Sequence, residues 1–212
     1  MDRRLFDADY YYGQKRSNYG AYDHLDNLKH WQPVLTLFER HHIQGSILDI
    51  GCAFGYFLKY AAPGFNSVSG ADISEFAVEK AGETLPRGQF ITLDLDTEEL
   101  PFPDESFDIV TAFDVLEHTK SIAASMKKIY PKIKKGGYLL FSVPVKDTWA
   151  GRIFTLFDKD VTHISVPTKQ ELASVIESSG MEFIEQTSFF VPGDSRIPFI
   201  PVTHEVLLRR AC

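Results

Sequence analysis

Cysteine is nearly absent from this chain of 212 residues: Cys52 and Cys212 are the only two. One lies in a glycine loop and the other is the last residue, so a disulfide framework is not expected. No apolar run approaches the roughly 20 residues that a membrane-spanning helix needs. The first residues are polar and charged, unlike a secretory leader. Lysine and arginine do not cluster; Arg3-Arg4 and Lys134-Lys135 are just pairs, and the net charge is −7. Attraction to a nucleic-acid backbone by bulk charge is therefore not expected. Internal repeats and low-complexity stretches are also lacking. These absences lead to the expectation of a reducing, cytoplasmic setting with neither membrane nor nucleic acid as partner. The length suits one full core and is short for two. One domain is expected over 1–212, with a helical N-terminal cap or lid over 1–43 and the core over 45–212.

What is present centres on Ile47-Leu48-Asp49-Ile50-Gly51-Cys52-Ala53-Phe54-Gly55-Tyr56-Phe57-Leu58. A short apolar run carries an acid near its end, glycines flank a tight bend, and an amphipathic segment begins. This reads as a buried strand, a turn and a helix start. Glycines let the bend adopt backbone conformations closed to other residues and let a ligand come close. The dinucleotide fingerprint G-x-G-x-x-G is missing; the spacing here is Asp49-x-Gly51-x-Ala53-x-Gly55. An acid beside the loop repels a pyrophosphate. It suits a ligand with an ammonium group, and S-adenosylmethionine has one, with a carboxylate and no phosphate.

The alternation continues down the chain. Leu25, Leu28, Trp31, Leu35 and Phe38 recur at helical spacing over 22–43, with Pro33 as a kink or a second start. Ser67–Asp72 reads as a second strand ending in an acid, 23 residues after Asp49. An acid there is placed to bond ribose hydroxyls. Ser74 is placed to cap the next helix, which leaves Asp72 for a ligand. Gln89–Asp94 reads as a third strand ending in an acid. Ligands in open α/β sheets bind at the carboxyl edge, and packing alone asks for no acid there. Phe107–Val110 opens a fourth strand after a Pro-containing turn. A helix over 119–134, closed by Lys134-Lys135-Gly136-Gly137, precedes a fifth strand, Tyr138–Pro144. Thr168 and Glu171 have capping-box spacing. Glu182–Phe190 and Thr203–Arg210 read as a closing antiparallel pair, with a Pro-rich loop between.

The glycine stretch resembles the first motif, D/E-x-G-x-G-x-G, of the class I S-adenosylmethionine-dependent methyltransferases, with Ala53 at the middle glycine. Gly70-Ala71-Asp72-Ile73-Ser74 resembles the second motif. Leu100-Pro101-Phe102-Pro103-Asp104-Glu105-Ser106-Phe107-Asp108 with Leu116-Glu117-His118 resembles the family's most specific run, and Lys135–Pro144 its fifth strand. The resemblance covers roughly 45–188. It implies an α/β, Rossmann-like, doubly wound sheet of seven strands, mostly parallel, with the last inserted antiparallel and helices on both faces. It implies S-adenosylmethionine as cofactor, with Asp49, Gly51, Ala53 and Gly55 at the loop and Asp72 and Ile73 at the ribose. Asp94 and Leu95 would sit at the adenine, and Phe113 against the cofactor. His118 lies where several members point a side chain toward the methyl group. Related enzymes place N-terminal tyrosines over the cofactor, which singles out Tyr12 and Tyr19.

Residues 145–167 fall outside the alternation and read as a substrate-side loop. His163 lies there, and with His118 is a candidate proton acceptor. Asp158-x-Asp160-x-x-His163 also reads as a divalent-metal cluster; the blander reading, Asp160 positioning His163 or capping a turn, is preferred, and no metal is expected. Tyr10-x-x-Gly13-x-Lys15…Asn18-Tyr19 and Thr162-His163-Ile164…Thr168-x-x-Glu171-Leu172 look like methyltransferases acting on small molecules, including sugars and glycan precursors. O-methylation of such a molecule is the first expectation and C-methylation of a quinone-type ring the second. A non-catalytic S-adenosylmethionine-binding protein and a nicotinamide-dependent oxidoreductase remain as readings from other classes.

Overall fold

Apolar runs and amphipathic stretches alternate along the chain, and the computed structural model describes the outcome for residues 3–12, 17, 21–191 and 196–212. Five strands run parallel: β1 (Gly45–Ile50), β2 (Phe65–Asp72), β3 (Gln89–Thr92), β4 (Phe107–Phe113) and β5 (Ile133–Pro144). Three more follow: β6 (Glu182–Phe190), β7 (Ile197–Pro198) and β8 (Thr203–Arg209). The order across the sheet is β3-β2-β1-β4-β5-β8-β6-β7. The last long strand, β8, lies between β5 and β6 and is antiparallel to both. The chain steps outward from β1 to β3, then returns to lay β4 on the other side of β1. Open α/β sheets bind ligands at the carboxyl edge of such a reversal.

The central strands are apolar at successive positions because both faces are covered. Leu48, Val110, Leu139, Phe141 and Leu208 meet Ile122, Met126 and Ile129 of α5 (Ile122–Ile129) and Leu172 of α7 (Lys169–Ser178). Their neighbours Ile47, Ile109, Leu140 and Leu207 meet Trp31, Val34 and Phe38 of α2 (Leu28–Arg40). Phe57 and Leu58 of α3 (Tyr56–Ala61) and Ala81 of α4 (Glu75–Thr84) join that side. Adjacent strand residues point to opposite faces, so each pair feeds both layers. A third cluster joins Phe6, Tyr10 and Tyr11 to Ala53, Phe54 and Ala77, setting α1 (Ala8–Tyr12) against the glycine loop.

The sheet corrects the expected strand count: it has eight strands, not seven. The addition is the two-residue β7, inside the stretch expected to be a loop, paired with Phe189 and Phe190 of β6. Pro198 has no N–H to donate, and the sheet edge is where a strand tolerates that. Lys134–Gly137 belong to β5 and not to a helix end. Pro131 removes a helical donor, so α5 stops at Ile129 and one 3-10 turn, Tyr130–Lys132, leads into the strand. Pro33 does not divide α2, which runs unbroken from its Asn27 cap. The excursion at 145–167 carries a helix, α6 (Trp149–Phe157), capped by Thr148. Thr168 and Glu171 form the expected capping box. Among the described residues no helix is long and apolar enough to cross a membrane.

Phe141 has no exposure and lies in the middle of β5. Phe141→Ala is expected to lower the unfolding free energy by about 3–5 kcal/mol. In urea unfolding this reads as an earlier midpoint at an unchanged slope.

Candidate active site

The glycine loop takes its shape from backbone signs. Gly51 and Ala53 have φ of +71° and +44°, and Gly55, the cap of α3, has +73°. A Cβ on Gly51 would lie 2.1 Å from Val115 Cγ2, so no other residue fits that bend. Ala53 does carry a Cβ in the left-handed region, at a cost of about 1–2 kcal/mol. Two contacts hold it there: its N–H donates to Asp72 Oδ2 at 2.8 Å, and its methyl packs in the cluster of Phe6, Tyr10, Tyr11 and Phe54.

The acids gather at the carboxyl edge. Asp49 is buried, and its Oδ1 accepts from the Thr111 hydroxyl at 2.6 Å. Burial pushes its pKa up to about 8; the Thr111 bond opposes this and the nearby Asp72 adds to it. Asp72 is not left free as its neighbours suggested: Oδ1 accepts from the Ser74 N–H at 2.9 Å while Oδ2 holds Ala53. The Tyr11 side chain and the Ile73 amide also bond this carboxylate, which ties the N-terminal segment to the end of β2. Burial raises Asp72 too, against those amide bonds. Ser74 does cap α4, accepting from the Ala77 N–H at 3.2 Å. Asp94 lies two residues beyond β3 and accepts from the Asp96 N–H at 2.9 Å. Burial pushes Asp94 up, but bonds from Asp96 and Thr97 outweigh it and the net shift is downward.

Two adjoining cavities occupy the edge. The first measures about 750 Å³ out to its open mouth and is lined by Asp72, Ile73, Asp94 and Leu95, with Phe6, Tyr10 and Tyr11 from the N-terminal segment. The second measures about 1430 Å³ and is lined by Asp49, Trp31, Phe57, Phe154, Glu117 and His163. Tyr22, Gly51, Phe113, Asp114 and His118 line both. Lysine and arginine are absent from the described lining of either. Gly55 lines neither. Tyr12 is 41 % exposed and lies outside both; its neighbours Tyr10 and Tyr11 are the ones that face inward. Tyr19 lies outside the described residues.

The 145–167 segment brings His163 beside His118, with ring centroids 4.8 Å apart. His163 Nδ1 lies 2.6 Å from Asp158 Oδ2 and its Nε2 4.0 Å from Asp160 Oδ2, and Asp160 caps the turn before it as expected, accepting from the Thr162 N–H at 2.9 Å. Asp160 also accepts from the Tyr10 hydroxyl at 2.9 Å and from the Thr162 hydroxyl at 2.5 Å. Because Thr162 spends its one proton on Asp160, its oxygen accepts from His118 Nδ1 at 2.8 Å. In its neutral form each imidazole thus carries its proton on Nδ1 and keeps a lone pair on Nε2. Burial and His163 push His118 down to about 4. Burial works the same way on His163, but the Asp158 bond outweighs it and the net shift is upward.

Sequence reasoning did not single out Asp114, Glu117, Tyr10, Tyr11 or Tyr22. Asp114 follows β4 with φ +51° and accepts from the Ser142 hydroxyl at 2.9 Å. Glu117 is fully buried, and among the described residues neither carboxyl oxygen has a hydrogen-bond partner beyond its own backbone amide. The spacing Asp114-x-x-Glu117-His118 after a strand was the available signal.

The model of a family described as a methyltransferase domain matches residues 22–186. The chain belongs to this family. A "probable S-adenosylmethionine-dependent methyltransferase" of Mycolicibacterium smegmatis is 31 % identical over 142 residues, covering 66 % of this chain and 53 % of the relative. A ubiquinone biosynthesis O-methyltransferase of Agrobacterium fabrum is 27 % identical over 157 residues, covering 68 % of this chain and 62 % of the relative. The match thus spans little more than half of these relatives' length. A solved S-adenosylmethionine-dependent methyltransferase from Clostridium acetobutylicum superposes with a TM-score of 0.71 at 10 % identity, covering 90 % of this chain and 96 % of that one. The family implies S-adenosylmethionine as the cofactor. Its site fits: the first cavity offers acids to hydroxyls and an amine, and neither described lining holds the basic residues that a phosphate would call for.

Asp49 gives the apo protein a pH dependence. Its folded pKa of about 8 stands above the ordinary 3.8. Between those values the folded state keeps a proton that the unfolded chain releases, so this contribution to stability is lost as pH rises. From about pH 5 to about pH 8, Tm is expected to fall more steeply in the wild type than in Asp49→Asn. Equal slopes would remove the assignment.

Proposed function

We propose that this methyltransferase moves a methyl group from S-adenosylmethionine to a hydroxyl oxygen of a small molecule. The observation that carries this reading is the shared wall between the two cavities, formed by Gly51, Phe113, Asp114 and His118. An acid-lined chamber meets a chamber of aromatic rings and imidazoles, so donor and acceptor can approach across that wall. When bound, S-adenosylmethionine supplies a methyl carbon already activated by a sulfonium leaving group.

The protein's part is positioning and exclusion of water. Asp72 and Ile73 hold the ribose, and Asp94 and Leu95 the adenine side. Asp49 opens on the second cavity and faces the amine; an ammonium there favours its carboxylate form against burial. Phe113 backs the cofactor, itself braced by Trp31 and Phe57 at centroid distances of 5.6 and 4.9 Å. The described N-terminal residues, 3–12 and 21–43, act as a cap. Tyr10 reaches Asp160 across the site, and the Ser74 hydroxyl donates to the Phe6 carbonyl at 2.5 Å. His118 and His163 serve the acceptor hydroxyl.

For the acceptor, Trp31, Phe57, Phe113 and Phe154 offer flat apolar faces. A sugar or glycan precursor stacks on such faces through its C–H bonds and remains the first reading. A hydroxylated quinone-type ring is the second, favoured by the ubiquinone biosynthesis O-methyltransferase among the relatives. Carbon methylation of that ring has no such support.

Incubation with methyl-labelled S-adenosylmethionine and a cell extract split into small-molecule, lipid, protein and nucleic-acid fractions tests the assignment. Label is expected in the small-molecule fraction. Label in protein or nucleic acid would overturn the acceptor class. Cofactor binding without label would favour a non-catalytic binder, and a Tm rise with NADH alone an oxidoreductase. Gly51→Ala, which drives a methyl into Val115, is expected to abolish the Tm rise that S-adenosylmethionine gives the wild type.

A further inference from the structure

Glu117 poses a physical problem that methyl transfer alone does not answer. A carboxyl group with no exposure and, among the described residues, no partner beyond its own amide is costly to bury in either protonation state. Asp114, Asp158 and Asp160 lie near enough to disfavour its charge further. No lysine or arginine lines its cavity among the described residues. Asp158 favours the charged form of His163 beside it, but neither Glu117 oxygen bonds that ring, and a bound cation would supply the partner. The two imidazoles beside Glu117 are prepared for such an ion. One ligand atom from each of Glu117, His118 and His163 lies within 4.8 Å of the others. Asp158 holds the Nδ1 proton of His163, and the Thr162–Asp160 pair holds that of His118. A histidine whose other nitrogen is bonded to a carboxylate or hydroxyl, with its Nε2 lone pair open, is the usual form of a metal ligand.

We propose that Glu117, His118 and His163 bind a divalent transition-metal cation in the wall of the second cavity, and that its open positions take the hydroxyl oxygen of the acceptor. Two imidazoles and one carboxylate select a first-row ion such as Zn²⁺, Fe²⁺ or Mn²⁺ over the all-oxygen sites of Ca²⁺ and Mg²⁺. Three protein ligands leave room for substrate. All three residues line the acceptor cavity, and His118 also lines the first. On the ion, the acceptor O–H bond breaks and its proton leaves to water. The oxygen keeps the electron pair that forms the new bond to carbon as the carbon–sulfur bond breaks. The imidazoles then activate the hydroxyl through the ion and do not take its proton themselves. This role in the acceptor's chemistry rests on the methyl-transfer reading; the metal site stands without it.

The test is a Co²⁺ titration of the full chain after treatment with a chelator and its removal. Visible d–d absorption saturating at one ion per chain is expected. The band should vanish in His163→Ala and Glu117→Gln, and Asp158→Asn should weaken binding about 10- to 100-fold. The Tm rise with S-adenosylmethionine, measured on every variant, shows which are folded. Absence of the band in the wild type overturns the site. An unchanged band in a folded Glu117→Gln or His163→Ala variant overturns the ligand set. A wild type that binds Co²⁺ but does not respond to S-adenosylmethionine leaves the metal site standing and sinks the methyl-transfer reading instead.

Discussion

Five carboxyl groups, Asp49, Asp72, Asp94, Asp114 and Glu117, converge where the strand order of the sheet reverses, and no lysine or arginine lines the described walls they face. That imbalance is the constraint on which the site depends. Burial raises four of the five, and only Asp94, with its Asp96 and Thr97 bonds, shifts downward. The sheet stays folded around this charge because β1, β4 and β5 are covered on both faces by apolar side chains. A ligand with amine and hydroxyl groups relieves the edge, whereas a pyrophosphate aggravates it.

The loop between β1 and α3 shows how strain is held by its surroundings. Ala53 adopts a left-handed backbone that its Cβ disfavours, and its amide and methyl are both engaged. Asp72 therefore has two duties: it anchors the loop through Ala53 and it ties down the N-terminal segment through Tyr11. The N-terminal segment closes the same region from above the sheet edge. Tyr10, Asp160, Thr162 and His118 form one hydrogen-bonded chain from the N-terminal helix to the imidazole.

Much of this was legible in the chain itself. The alternation of apolar runs with amphipathic stretches placed most strands and helices, and the spacing of Gly51 and Gly55 marked the bend between β1 and α3, because both follow from local rules of backbone and period. The family resemblance read from those motifs is borne out by the match over 22–186. Thr168 and Glu171 signalled their helix start for the same local reason. Other features had no local signature. Whether Tyr10, Tyr11 or Tyr12 faces the cavity depends on the phase of a five-residue helix against Phe54 and Phe76. Ile197 and Pro198 form a strand only because Phe189 and Phe190 lie alongside. Glu117 and His118 are near His163 only because the 145–167 segment folds back and bonds Ile164 and Ser165 to the Glu117 carbonyl. Local sequence determined which backbone shapes were open. Tertiary structure alone decided which side chains meet, since contacts between residues dozens of positions apart depend on packing that no short stretch encodes.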